Sequence, residues 1–316
     1  VFIPGNHDWA QGRRTGYRNV LNQQQFIDAF LQQDDVFLPR DGCPGPVEVP
    51  LTKKITLIAI DTQWWLHRRD KPGEDSECEA KTDDEFLIQV NDLVQKNAGK
   101  QVIVVGHHPM FSNGLHGGYA PAKTNLFALT DLNPRLYIPL PVLGSVYYFY
   151  RTAIGDIQDI PHPRYQQLKR GLANIFQQHP NLVYACGHDH SLQYFEQQNV
   201  HYVVSGAGCK ETWVSRNDRA EFAWGKKGFA TLDFYRNGEA WVQFHVPVED
   251  GSTGEVVYRR KLFRYEPPLP VEEEIPLTKE SLDQVILDFM PNYVNIHPNL
   301  LEKWVIDKCH EAGIGL

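Results

Sequence analysis

The stretch QVIVVGHHP (residues 101–109) decides how this chain is read. One glutamine leads into four β-branched residues, and a glycine, two histidines and a proline follow. A short run this rich in branched side chains suits a buried strand, and the glycine lets the backbone turn sharply at its end. The strand therefore delivers imidazoles at its carboxyl edge. The same plan recurs in NLVYACGHDH (181–190) and in VFIPGNHDWA (1–10), while VHYVVSGAG (200–208) repeats it with small residues as cargo. In open α/β sheets, ligand sites form beyond the carboxyl ends of the strands. Asn6, His7, His107, His188 and His190 are thus placed to converge, and imidazole nitrogens with an amide oxygen form a donor set for a divalent transition metal.

Working outward, the segments alternate between strand and helix. NQQQFIDAFLQQDDV (22–36) places Phe26, Ile27, Phe30 and Leu31 on one helical face. ITLIAIDT (55–62) is a further strand. In TDDEFLIQVNDLVQKNAG (82–99), Thr82 and Glu85 match a capping box and Gly99 a glycine stop. RYQQLKRGLANIFQQHP (164–180) reads as a helix. FATLDFYRNGEAWVQFHV (229–246) alternates at period two around Asn237-Gly238, a hairpin signal, and EVVYRRKLFRY (255–265) reads as one more strand. Alternating segments followed by hairpins predict an α/β fold of mixed sheets.

The chain has 316 residues, 42% of them hydrophobic, and a formal net charge of −8. That is enough for one large domain, and the acidic balance argues against a nucleic-acid partner. Cys43, Cys78, Cys186, Cys209 and Cys309 form no Cys-x-x-Cys pair. Cys43 and Cys78 lie in polar, loop-like stretches, either paired in an oxidising compartment or as two free thiols. No run reaches the roughly 18 apolar residues of a membrane span. The nearest approach, LYIPLPVLGSVYYFY (136–150), is uncharged but broken by Pro139 and Pro141.

The three polar blocks, in this order, resemble those of the calcineurin-like metallophosphoesterases. VIVVGHHPMFSNGLHGG (102–118), YACGHDHSLQYF (184–195) and YVVSGAG (202–208) are similar, more narrowly, to stretches of the small, tartrate-resistant-type purple acid phosphatases. The resemblance covers roughly residues 1–245. It implies a four-layer αββα sandwich of mixed β-sheets flanked by helices, over residues 1–265. It also implies a phosphatase that hydrolyses phosphomonoesters with a metal-activated water at two divalent or trivalent ions (Fe, Zn or Mn). By the same resemblance Asn6, His107 and His188 are ligands of the second metal and His190 a ligand of the first. His7 faces the substrate phosphate, Asp8 supports His7 or is a turn carboxylate, and His116 is an outer-sphere histidine. His108 matches no ligand and reads as a wall residue. A phosphodiesterase or nucleotide pyrophosphatase on the same core, and a non-catalytic phosphate-binding or scaffold relative, stay open. Relatives of this type favour a secreted, periplasmic or membrane-associated setting.

Two upstream family blocks, carrying the bridging carboxylate and most ligands of the first metal, do not precede Val1, so the expectation is an N-terminally truncated domain. GDIQD (155–159) mimics the second of these blocks out of order, as a bridge or as a loop carboxylate. An insertion at about 118–163 interrupts the domain. Its apolar run 136–150 suggests a wall for a small-molecule or lipid-like phosphoester, with possible membrane proximity. Residues 266–316 form a Pro/Glu linker and a short helical tail.

Overall fold

The computed structural model describes residues 1–119, 138, 155–217, 219–248 and 251–265. The chain divides into two compact units, Val1–Glu266 and Pro267–Leu316. The linker and tail helix, and the apolar run 136–150 apart from Ile138, lie outside the described residues.

A mixed seven-stranded sheet runs in the order β1 (Val47–Pro50), β2 (Ile55–Ala59), β3 (Gln101–Val105), β4 (Leu182–Cys186), β6 (Val200–Ser205), β5 (Leu192–Gln197), β7 (Phe222–Trp224). β2, β3, β4 and β6 are parallel neighbours, with Ala59 opposite Val105, Val105 opposite Ala185 and Cys186 opposite Val204. Their carboxyl ends therefore open on one edge, and the GHHP, GHDH and SGAG blocks leave the sheet there.

Helices α3 (Asp83–Lys96) and α4 (Pro163–Phe176) cover one face of this sheet. They bury Phe86, Val90 and Val94, and Tyr165, Leu168, Leu172 and Phe176, at helical spacing against Val102, Val104, Leu182 and Tyr184. The Thr82–Glu85 capping box starts α3, worth about 1 kcal/mol, and Arg164 Nη2 donates to Asp83 Oδ1 at 2.7 Å to join the helices. On the other face lies a three-stranded antiparallel sheet of β8 (Phe229–Phe234), β9 (Glu239–Pro247) and β10 (Gly254–Arg264). Val242, Phe244 and Val246 pack there with Val183, Leu192, Tyr194 and Val203. The Asn237-Gly238 hairpin turn forms as expected, Gly238 taking φ of 85°. The architecture is a mixed α/β sandwich, and no helix covers the outer face of the small sheet among the described residues.

Three details differ from the sequence expectation. Helix α1 spans Gly16–Leu31 rather than 22–36. It turns Val20 and Gln24 inward, while Phe26 and Phe30 are 64% and 75% exposed. The reason is polar: Gln24 exchanges two hydrogen bonds with Asp41, at 3.1 and 2.6 Å, and these fix the face. The opening segment is not an interior strand, since Phe2 forms only an isolated bridge with Phe37. α3 stops at Lys96 with Asn97 as its C-cap, before Gly99.

Cys43 and Cys78 are joined in a disulfide across a separation of 35 residues. No helix among the described residues is long and apolar enough to cross a membrane.

Candidate metal centre

The GNHD turn is fixed from two sides. Asp8 Oδ2 accepts the Gly5 N–H at 2.8 Å, and the buried Trp9 donates from Nε1 to Asp61 Oδ2 at 2.7 Å. Asp61 follows β2 and caps the short helix α2 (Thr62–Leu66) by accepting from Gln63 N and Trp64 N. Burial pushes Asp61 up to about 7, against these three donors, which favour its ionised form. Trp9 thus ties the turn to the end of β2. Gly5 is required: a Cβ there would lie 2.7 Å from His107 Nδ1. The hydrogen bond Asp8 makes holds its own turn and does not reach His7.

At the end of β3, His107 Nε2 lies 3.0 Å from Asn6 Oδ1 and 3.1 Å from His188 Nδ1. His188 follows β4 and adopts φ of 63°, in the left-handed region that few non-glycine residues occupy. Its Nε2 donates to the Gln158 carbonyl at 3.0 Å. A carbonyl only accepts, so the proton sits on Nε2 and the Nδ1 lone pair points at His107. Asn6 Oδ1 is also an acceptor. Two acceptors from two separate segments therefore meet at His107 Nε2, whose single N–H serves both; with its proton on Nδ1 instead, His107 would be a third electron-pair donor at the same place.

This arrangement suits a metal ion. Donors bound about 2.1 Å from a cation at right angles lie about 3.0 Å apart, the spacing seen here. Burial, and secondarily the neighbouring imidazoles, push His107 and His188 well below the usual histidine range. Both stay neutral, the form that ligates.

The ring nitrogens of His107, His108 and His188 all lie within 4.8 Å of one another, but His108 is already spent. Its backbone N–H donates to Thr62 Oγ1 at 3.1 Å, and with the ring proton on Nε2, facing an amide oxygen, the Thr62 hydroxyl donates to His108 Nδ1 at 2.7 Å. His108 Nε2 then donates to Gln158 Oε1 at 2.9 Å. His108 is a buried brace with no lone pair to offer.

His116 and Asp159 form the next layer. His116 Nδ1 lies 2.8 Å from Asp159 Oδ1, and its ring is 3.9 Å, centroid to centroid, from that of His188. Asp159 is 1% exposed, and its other oxygen accepts from Asp156 N at 3.1 Å. The GDIQD segment thus reaches the site, with Gln158 on His108 and His188 and Asp159 on His116. Asp189 is buried too. It accepts from the Ser112 hydroxyl, which in turn accepts from Gly114 N at 2.9 Å. This chain pins the loop carrying His116 to the GHDH turn. A Cβ on Gly206 would strike the Asp189 carbonyl, so the SGAG loop closes against the same turn only with glycine.

His7 is exposed and His190 half-buried. Burial first, then the positive charges of Lys210 and His116, push His190 down. Neither is hydrogen-bonded through its ring to the Asn6–His107–His188 cluster.

No protein-family model and no curated protein sequence matches the chain. Among solved structures it is similar to GAP50, the anchor in the inner membrane complex of Plasmodium, at 17% identity and TM-score 0.41, covering 75% of this chain and 58% of that one. It is similar to PhoD at 10% identity and TM-score 0.41, covering 79% and 50%. It is also similar to purple acid phosphatase PPD1 from yellow lupin (Lupinus luteus) seeds, at 12% identity and TM-score 0.36, covering 66% and 30%. The chain thus spans less than two thirds of the length of each. At these TM-scores the likeness is confined to the arrangement of layers and says nothing of reaction or substrate.

Proposed function

We propose that this chain is a metal-dependent phosphoesterase that hydrolyses phosphomonoesters in the manner of acid phosphatases. The observation that carries the reading is the convergence of Asn6 Oδ1, His107 Nε2 and His188 Nδ1 on one point, with one N–H between two acceptors. Asn6, His107 and His188 would hold one divalent or trivalent ion, and His190 would contribute to a second. Such ions stabilise charge on phosphoryl oxygens and acidify a water nucleophile.

The chain's own residues supply the rest. The Gln158 carbonyl holds the His188 proton on Nε2, which aims the ligating lone pair. Asp159 accepts from His116 Nδ1 and so fixes the tautomer and the orientation of that ring beside His188. His7, exposed on the GNHD turn, would donate to the phosphate or leaving group. The Cys43–Cys78 disulfide fits an oxidising, secreted or membrane-associated setting.

The test is metal analysis combined with turnover. Bound iron, zinc or manganese together with hydrolysis of p-nitrophenyl phosphate supports the reading; absence of both overturns it. Faster turnover of bis(p-nitrophenyl) phosphate than of the monoester would move the assignment to a phosphodiesterase.

A further inference from the structure

A second pocket adjoins the metal centre on the far side of His190. Two attachments place it there. Thr212 N donates to the His190 carbonyl at 2.9 Å, and β7 pairs with β5 so that Trp224 lies opposite Leu192, two residues beyond His190. Between them the β6–β7 loop walls a cavity of about 480 Å³ lined by Trp213, Val214, Arg216, Trp224, Gly225 and Lys226.

The lining has a definite chemistry. Trp213 is 44% exposed. The Arg216 guanidinium carbon lies 5.7 Å from the Trp224 ring centroid, the spacing of a cation over an indole face. Neither Arg216 nor Lys226 is paired with a carboxylate among the described residues. At Gly225 a Cβ would lie 2.8 Å from the Thr212 carbonyl, so the wall there is bare backbone. The Trp224 indole N–H has no acceptor among the described residues, so no hydrogen bond fixes that ring. Two indoles accept a flat ring by stacking, and two cations favour a ligand that carries negative charge. A hydrocarbon chain gains little from guanidinium, ammonium and bare peptide. The volume falls within the range that holds a small ligand.

We infer that this pocket receives the flat aromatic leaving group of an anionic ester, a ring system of nucleobase size, while its phosphate lies at the metal centre. The inference rests on the phosphoesterase reading and names its substrate class. Pocket and metal centre are separable by experiment, because ring binding needs no metal.

The full chain, stripped of metal with a chelator so that nothing turns over, is titrated calorimetrically with adenosine, adenosine 5′-phosphate, glycerol 3-phosphate and inorganic phosphate. Adenosine and adenosine 5′-phosphate should bind. Trp213→Ala should weaken both about tenfold and Trp213→Phe should restore most of the loss, with glycerol 3-phosphate and phosphate unchanged by either. Because Trp213 is partly exposed, an unchanged melting temperature checks that Trp213→Ala keeps the fold. No adenosine binding by the wild type, or equal adenosine binding by Trp213→Ala, would overturn the inference. Failure of the phosphoesterase reading shows separately, as adenosine binding without turnover of p-nitrophenyl phosphate by the metal-loaded protein.

Discussion

Asp159 Oδ1 lies 2.8 Å from His116 Nδ1, joining a carboxylate that is 1% exposed to a half-buried imidazole whose ring lies against that of His188, 3.9 Å centroid to centroid and tilted by 39°. A carboxylate in this position fixes which ring nitrogen carries the proton and which way the ring faces. Asp159→Asn leaves the shape but replaces one of the two acceptors with a donor. Turnover of an aryl phosphate should fall by about 10- to 100-fold, and His116→Ala should fall as far or further. The double variant should lose no more than His116→Ala alone, because both act through one imidazole. Additive losses in kcat/KM would show that Asp159 acts elsewhere.

The three converging donors predict a separation of metal binding from chemistry. His107→Ala and Asn6→Ala should each lose metal, measured as ions per chain, together with activity. On the proposed reading His7→Ala should retain metal and lose activity, because its ring makes no hydrogen bond to the donor cluster and is exposed. Near-wild-type turnover in His7→Ala would remove His7 from the reaction.

The donors were legible in the sequence because each follows an apolar run at a glycine, a purely local signal, although only His107 and His188 follow strands and the run before Asn6 forms just an isolated bridge. Parallel strand order then does the converging, with β3 beside β4 in register. The residues behind them were not legible in the same way. Asp159 reaches His116 across 43 positions and Asp189 reaches Ser112 across 77, and nothing local distinguishes either from a turn carboxylate. Trp9 reads as an apolar residue, and its service to Asp61 appears only when the GNHD turn meets the end of β2. α1 shows the limit of periodicity: Phe26, Phe30 and Leu31 of its apolar stripe are exposed and only Ile27 packs against the core, while Gln24, paired with Asp41, is buried.

The disulfide ties the 39–46 loop to the segment before α3, and Cys78 is 5% exposed. With the cysteines 35 positions apart, its loss should remove about 3–4 kcal/mol by the loop-entropy relation. The Cys43→Ser/Cys78→Ser variant should unfold at lower denaturant with the metal content unchanged, since neither cysteine is one of the converging donors. Equal midpoints for variant and wild type would show that the bridge contributes no stability.

Stability should fall as the solution is acidified. Burial pushes His67 and His201 down to about 4 and lowers His179 as well. A folded-state value below the unfolded one means that the unfolded chain takes up protons the folded chain refuses. The slope of stability with pH is therefore positive from about pH 4 to 6.5, up to about 1.4 kcal/mol per pH unit for each histidine. Asp61 works the other way: its carboxyl, raised to about 7, is protonated in the folded chain before the unfolded one, which favours folding as the pH falls. One carboxyl offsets one histidine, so a net loss remains on going from pH 6.5 to 5. Urea midpoints at the two pH values measure it. His201→Gln should flatten the slope by about one histidine's share, because Tyr194 Oη, 2.8 Å from His201 Nδ1, can still donate to an amide oxygen. A slope unchanged in His201→Gln would mean that this ring does not resist protonation in the fold.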